Sequence, residues 1–114
     1  MRFSGLFVPK TVQEAIEAFE RANGAAFYVN GGTDVLVVAR EKDRFDGKLA
    51  IDLSGLAELK ELREETDTLL IGAGCTHARI AADPLVRRYA SVLAAASSEV
   101  GSPQIRNRGT LGGN

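Results

Sequence analysis

The most constraining feature of the sequence is an alternation of short apolar segments with helix-like segments in its first half. Three segments predict strands because they combine apolar, aromatic and β-branched residues and are bounded by turn residues: Phe3–Val8, Ala25–Val29 and Lys48–Leu53. We expect Ala25–Val29 to be buried on both faces. A strand, helix, strand, helix, strand order is typical of a parallel sheet with right-handed crossovers. The first half therefore predicts a small βαβαβ unit.

Two helices are predicted between these strands. The first begins with the capping-box pattern Thr11–Glu14 and closes at Asn23–Gly24, where glycine suits a left-handed C-terminal position. Its apolar residues recur at helical spacing and form one stripe: Val12, Ala15, Ile16, Phe19 and Ala22. The second helix spans Val35 to about Glu41, with Thr33 or Asp34 as its cap.

The second half predicts a different arrangement. Segments 59–64 and 69–72 flank a polar turn and are typical of a hairpin. Thr76 and Asp83 are expected to cap two short helices, and a helix of small residues continues to about Val100. The tail 101–114 is glycine-rich, and no helix or strand is assigned to it. We therefore expect an N-terminal unit over residues 1–55 and the beginning of a second α/β unit over residues 56–114.

Charge and hydropathy exclude several function classes. Fourteen basic and fifteen acidic side chains give a net charge of −1, so nothing favours nucleic acid as a partner. No apolar segment approaches the roughly 20 residues that a membrane-spanning helix needs. The N-terminal residues do not resemble a signal peptide, and we therefore expect a cytoplasmic protein.

Side chains for direct catalysis are scarce. Cys75 is the only cysteine and His77 the only histidine, which excludes an internal disulfide and an iron–sulfur cluster held by this chain alone. Cys75-x-His77 offers two metal ligands but has no matching pair elsewhere, so we expect a buried thiol and no metal site. Because no nucleophile has an evident base, any chemistry is expected to belong to a cofactor.

The turn after the second predicted strand is a candidate phosphate site. Gly31–Gly32 permit a tight turn and a close approach to a ligand, and the helix that follows presents unpaired N–H groups. The turn matches neither the Walker nor the Rossmann pattern, and a purely steric role for the glycines is the alternative. The Asp34 carboxylate would repel a phosphate unless it turns back onto its own helix or reaches a ligand hydroxyl.

A second glycine-rich segment, Ile105–Asn114, ends the chain. Its glycines, Thr110 and Asn114 would allow a ligand to approach backbone and small polar groups, and Arg106 and Arg108 add positive charge. A loop with two solvated arginines is the alternative interpretation.

Together the two segments resemble paired signatures of the FAD-binding domain of molybdopterin dehydrogenases, found in flavoprotein subunits of xanthine and carbon monoxide dehydrogenases. Gly31–Val35 and Ile105–Asn114 carry the resemblance, and Ile51–Leu53 and Leu70–Thr76 follow the family's order between them. It implies an α/β (α+β), PCMH-type FAD-binding fold. The implied FAD site comprises Val29, Asn30, Gly31, Gly32, Thr33, Asp34 and Val35, which would wrap the pyrophosphate, with Ile105, Gly109, Thr110, Gly113 and Asn114.

The resemblance also implies partners. The flavin would relay electrons between iron–sulfur clusters on one partner and an acceptor such as NAD, while molybdopterin is held by another subunit. Because such subunits continue well beyond the second segment, we expect residues 1–114 to be a truncation, a proteolytic fragment or a split gene product. We expect such a piece to be inactive alone, to retain FAD weakly and to self-associate through exposed apolar surface. The alternatives are another PCMH-type flavin oxidoreductase, or a non-catalytic module that binds a partner subunit without flavin.

Overall fold

A computed structural model describes residues 4–30 and 47–113, which fall into two compact units. The first unit is Met1–Glu58 and the second is Leu59–Asn114. The structure therefore divides the chain three residues later than the boundary expected from the sequence.

The first unit contains a three-stranded parallel sheet. Its elements are β1 (Gly5–Phe7), α1 (Val12–Arg21), β2 (Ala26–Val29) and β3 (Leu49–Asp52). The strand order is β1-β3-β2, and β3 pairs in parallel with both neighbours. Central strand β3 accordingly supplies the best buried residues of the sheet, Ala50 and Ile51. The second predicted helix, at 35–41, lies outside the described residues.

Helix α1 begins and ends as the sequence predicts. The Thr11 hydroxyl accepts a hydrogen bond from the Glu14 amide at 3.1 Å, and the Glu14 carboxylate accepts one from the Lys10 amide at 2.7 Å. Glu58 also accepts a hydrogen bond from the Val12 amide at 2.9 Å, so a distant carboxylate satisfies a second N-terminal donor. The chain leaves the helix through Gly24, at φ 90°.

Strand β2 is less buried than its composition predicts. Ala26 and Phe27 are buried, but Tyr28 is 40% exposed and stacks on Phe19 of α1 with ring centroids 4.9 Å apart. The expectation of burial on both faces is thus correct for the first two residues and wrong for Tyr28. The reason is that its packing partner Phe19 is itself 37% exposed, so the stacked pair covers only part of each ring.

The second unit combines a hairpin with four short helices. Strands β4 (Leu62–Glu65) and β5 (Thr68–Ile71) pair antiparallel, which confirms the hairpin. The first strand begins three residues later than predicted, because a 3-10 turn occupies Ala57–Lys60. The helices are α2 (His77–Ala82), α3 (Pro84–Tyr89), α4 (Ser91–Ser98) and α5 (Pro103–Arg108). Thr76 caps α2 and Asp83 caps α3, as predicted.

Helix α5 lies in the glycine-rich tail, to which the sequence analysis assigned no element. Ser102 accepts a hydrogen bond from the Ile105 amide, and Pro103 occupies the first turn, where its missing N–H costs nothing. Beneath these helices lies a core of Cys75, Ile80, Val86 and Ala94. Within the described ranges, no helix has the length and apolar character required to cross a bilayer.

Candidate functional site

The first predicted segment begins at the carboxyl end of β2. Val29 is the last residue of that strand, and its carbonyl accepts a hydrogen bond from the Leu53 amide at 2.9 Å. This pairing continues the β2–β3 ladder and fixes where the chain leaves the sheet. Val29 and Asn30 are described, whereas Gly31–Val35 lie outside the described residues, so their predicted role stays a prediction.

The second predicted segment follows α5 directly. Gly109 ends that helix, and its amide donates to the Ile105 carbonyl at 2.7 Å. Thr110 is buried and forms an isolated antiparallel bridge with Thr76. The Thr110 hydroxyl accepts a hydrogen bond from the Gly113 amide at 3.1 Å, which closes a tight turn over Leu111 and Gly112. Asn114 lies outside the described residues.

A platform formed by Gly72–His77 holds this segment in place. The Leu111 amide donates to the Cys75 carbonyl at 3.0 Å and the Gly112 amide to the Ala73 carbonyl at 2.8 Å. In return the His77 amide donates to the Gly109 carbonyl at 3.0 Å. Three backbone hydrogen bonds between parts of the chain more than 30 residues apart therefore position a segment that belongs to no strand.

Two glycines of the segment are required by internal packing. A Cβ atom at Gly112 would lie 2.8 Å from the Ala73 Cβ, and one at Gly109 would lie 3.1 Å from the Ile105 carbonyl oxygen and 3.3 Å from the His77 ring. All three separations are shorter than ordinary van der Waals contacts. These glycines therefore allow the segment to lie close to its platform, a role distinct from approach to a ligand.

His77 supports the segment from beneath. Its side chain is 4% exposed, and its ring edge packs against Gly109. Its Nδ1 atom is buried without a hydrogen-bond partner in the part of the chain that the structure describes.

The residues of the segment and its platform differ in exposure. Ala73, Gly112 and Gly113 are exposed, whereas Gly109 and Thr110 are buried. The three exposed residues carry no side chain larger than a methyl group, so their backbone is accessible.

The two arginines of the segment differ in their surroundings. Arg106 donates to the carbonyl oxygens of Val100 and Gly101, both at 3.1 Å, and so closes the turn that precedes α5. Arg108 is exposed. Ile105 is 39% exposed and packs against Gly101 on the same turn. Arg106 thus has a structural role, which the sequence analysis did not separate from that of Arg108.

Cys75 is a buried core residue, as predicted. Its thiol lies 3.5 Å from the Lys60 carbonyl oxygen and 3.7 Å from the Arg79 guanidinium, which also donates to that carbonyl. Among residues 4–30 and 47–113, no group of three or more potential metal ligands lies together. The structure thus gives the thiol a packing role.

An acidic groove lies elsewhere in the second unit. A groove of about 350 Å³ runs between the hairpin tip and Tyr89 and is lined by Glu64, Glu65 and Asp67. On the same hairpin, hydrogen bonding to Glu65 and the charge of Glu61 raise the pKa of Arg63. Because a pyrophosphate is anionic, this groove suits it poorly.

Comparison with known proteins identifies the family. The sequence matches the family described as the FAD binding domain in molybdopterin dehydrogenase over residues 1–114. It is 39% identical over 110 residues to the nicotinate dehydrogenase FAD-subunit of Eubacterium barkeri, covering 95% of this chain and 36% of that protein. It is 33% identical over 105 residues to the carbon monoxide dehydrogenase medium chain of Hydrogenophaga pseudoflava, covering 92% of this chain and 36% of that one. The chain belongs to this FAD-binding domain family.

Solved structures support the same assignment. A carbon monoxide dehydrogenase from Hydrogenophaga pseudoflava superposes with a TM-score of 0.92 at 32% identity, over 99% of this chain and 39% of that chain. Quinoline 2-oxidoreductase from Pseudomonas putida 86 gives 0.87 at 31% identity, over the same fractions. These matches confirm the predicted family and the mixed α/β fold. The chain spans just over a third of the length of these two curated relatives.

The platform is the part of the site that sequence reasoning missed. The sequence predicted a strand end, a buried thiol and a helix cap in this stretch, but no role in holding the second segment. A signal was nonetheless present, because Gly72 ends a predicted strand and Gly74 lies two residues beyond it. A Cβ at Gly72 would lie 2.2 Å from the Leu59 carbonyl oxygen, which shows how closely the backbone passes there.

Proposed function

We propose that this chain is part of the FAD-binding, electron-transferring subunit of a molybdenum hydroxylase. Membership of the FAD-binding domain family over all 114 residues carries the proposal. Bound FAD would supply the redox chemistry, taking electrons from iron–sulfur clusters on a partner subunit and passing them to an acceptor such as NAD. The chain itself would bind the cofactor and orient it.

Each glycine segment has its own part in this proposal. The backbone amides of Gly31–Val35 would meet the pyrophosphate, because a glycine turn at the carboxyl end of a parallel strand is a common anion site. Gly113 and Asn114 would line the cofactor from the second unit, with Ile105 and Gly109 close by. Since Thr110 is buried and holds the Gly113 amide, it would act by fixing the turn that presents Gly113.

The partners follow from what the relatives are. The matched proteins are named as subunits or chains of dehydrogenases, including nicotinate and carbon monoxide dehydrogenases. We therefore propose an iron–sulfur subunit and a molybdopterin subunit as partners, in the cytoplasm, with the substrate bound on the molybdopterin subunit. Residues 1–114 alone would then be inactive, because the electron donor is bound by another chain.

Anaerobic reconstitution tests the electron-relay role. The complete flavoprotein subunit is mixed with its iron–sulfur and molybdopterin subunits, reducing substrate is added, and flavin absorbance is followed. The proposal expects bleaching of the flavin that requires both partners, followed by reoxidation on addition of NAD or another acceptor. Iron–sulfur clusters that become reduced while the flavin stays oxidised would contradict it.

A further inference from the structure

The start of helix α2 contacts the second segment at the point where that segment leaves α5. The His77 amide donates to the Gly109 carbonyl at 3.0 Å, and Thr76 pairs with Thr110 in an antiparallel bridge. Gly109 ends α5, and its own amide donates to the Ile105 carbonyl. Both peptide hydrogen-bonding groups of Gly109 are therefore engaged, one by α5 and the other by His77.

The His77 side chain lies against the same glycine. Its ring atoms Cδ2 and Nε2 are 3.3 and 3.8 Å from the position that a Cβ atom would take at Gly109. A planar ring fits a gap of this width, whereas a branched aliphatic side chain of similar volume is thicker and overfills it. The buried ring therefore sets how closely Gly109 approaches α2.

A displacement of Gly109 would reach the turn that follows within one residue. Thr110 is buried, and its hydroxyl accepts the Gly113 amide at 3.1 Å. Leu111 and Gly112 are tied to the platform by backbone hydrogen bonds, so the turn is held at several points and does not move as a loose loop. The conformation of the turn is thus linked to the packing of one buried ring.

Two roles for His77 make different predictions. Its Nδ1 atom is buried and has no hydrogen-bond partner among the described residues. Leucine has a similar volume and no polar atom, so a role in filling the core alone predicts that leucine can replace histidine. A role in spacing Gly109 from α2 predicts that it cannot, because the shape of the side chain then matters.

We propose that His77 is a positioning residue of the flavin site, which holds Gly109 at a fixed distance from α2 and thereby sets the turn Thr110–Gly113 for the cofactor. It acts through the backbone of the segment and does not itself bind FAD. The inference rests on the proposed function, because it adds a supporting residue to the second segment of that site. Binding sites depend on such residues, which pack behind the groups that contact the ligand.

Substitution by leucine in the complete flavoprotein subunit is the first test. His77→Leu is expected to keep the fold and to weaken FAD binding by about tenfold, because the branched side chain pushes Gly109 away from α2. Val86→Ala is the control, since Val86 is fully buried on α3 of the same unit, and its FAD affinity is expected to stay within about threefold of the wild type. Dissociation constants are measured by fluorescence titration of the flavin-free subunit, at a temperature where circular dichroism shows each variant to be folded.

A cavity variant gives a second measurement that does not depend on how leucine packs. His77→Ala removes the ring, so FAD binding is expected to fall by about tenfold. Small molecules can occupy engineered cavities, and added imidazole is therefore expected to restore much of the lost affinity. Imidazole should leave the FAD affinities of the wild type and of Val86→Ala unchanged.

The outcomes separate this inference from the proposed function. Weaker FAD binding by folded His77→Leu, with recovery of His77→Ala by imidazole, supports the inference. A folded His77→Leu subunit that binds FAD as tightly as the wild type, or a loss equal to that of Val86→Ala, overturns it and leaves the proposed function intact. If His77→Leu does not fold, His77→Ala decides, and wild-type affinity or a loss that imidazole does not reverse overturns the inference. A wild-type subunit that binds no FAD overturns both.

Discussion

The two units place their glycine segments by different means. In the first unit, the segment starts where β2 ends, and the parallel ladder between β2 and β3 fixes that point, with Val29 paired to Asp52. In the second unit, the segment belongs to no strand and is held by backbone hydrogen bonds to the platform Gly72–His77. The end of a strand thus fixes where the segment begins in the first unit, and hydrogen bonds between loops fix the segment in the second unit.

Glycine therefore has a different structural role in each unit. At a strand-to-helix turn, glycine permits a tight reversal and approach to a ligand. In the second unit, Gly72, Gly109 and Gly112 are glycines because neighbouring atoms occupy the space of a side chain. The second unit is therefore expected to be the more sensitive to substitution, and the following changes test that expectation from the largest effect to the smallest.

Gly72→Ala is expected to have the largest effect. The new Cβ would lie 2.2 Å from the Leu59 carbonyl oxygen and 3.1 Å from the Glu61 nitrogen, both backbone atoms that cannot rotate away. Overpacking against backbone is expected to lower the free energy of unfolding by about 3 kcal/mol or more. The change in the free energy of unfolding is measured by urea unfolding monitored through amide hydrogen exchange. Gly55→Ala is the control, since nothing lies within 4 Å of its Cβ position, and equal losses for the two variants would contradict the steric account.

Thr110→Val removes the acceptor of the Gly113 amide while keeping a β-branched shape. Because the hydroxyl is buried, the change is expected to cost about 1–2 kcal/mol in the free energy of unfolding and to raise amide exchange at Gly113. Thr66→Val at the exposed hairpin tip serves as the matched control. Unchanged protection of Gly113 would show that Thr110 does not fix the turn.

Thr11→Ala probes the first unit, where a helix cap and not a glycine contact is lost. Its hydroxyl caps α1 through the Glu14 amide, so we expect a loss of about 1 kcal/mol, measured by thermal or urea unfolding. Thr11→Ser is the control and is expected to retain most of the stability. A loss of unfolding free energy larger than that of Gly72→Ala would contradict the expectation that the second unit is the more sensitive to substitution.

Arg63→Ala is expected to have the smallest effect. Arg63 pairs with Glu61 and Glu65 on the hairpin, but all three side chains are about half exposed, where water and salt screen the attraction. The raised pKa of Arg63 leaves it charged throughout the accessible pH range, so the small contribution should not vary with its own titration. An unfolding midpoint equal to that of the wild type, in low and high salt, is the expected result.

Local signals in the sequence predicted the elements well. The caps Thr11, Thr76 and Asp83 each accept the expected backbone hydrogen bonds because capping depends on residues within one turn of the chain. Helix α5 was missed although Ser102 and Pro103 form a standard start signal, since the nearby glycines outweighed it.

Long-range arrangements were not predictable from local pattern. The central position of β3 depends on strand order, which the apolar content of β2 does not encode. The platform brings Ala73 and Cys75 against Gly112 and Leu111, and only the tertiary fold pairs those residues. The candidate residues of the second segment came from resemblance, and the structure supplies the reason for two of its glycines.

The flavin content of the complete subunit tests the central claim most directly. The subunit that carries this sequence is purified, its absorbance spectrum is recorded, and the released cofactor is identified and quantified by chromatography. We predict one FAD per subunit, released on denaturation. A colourless subunit that takes up no FAD on incubation would contradict the claim that these two glycine segments serve a flavin site.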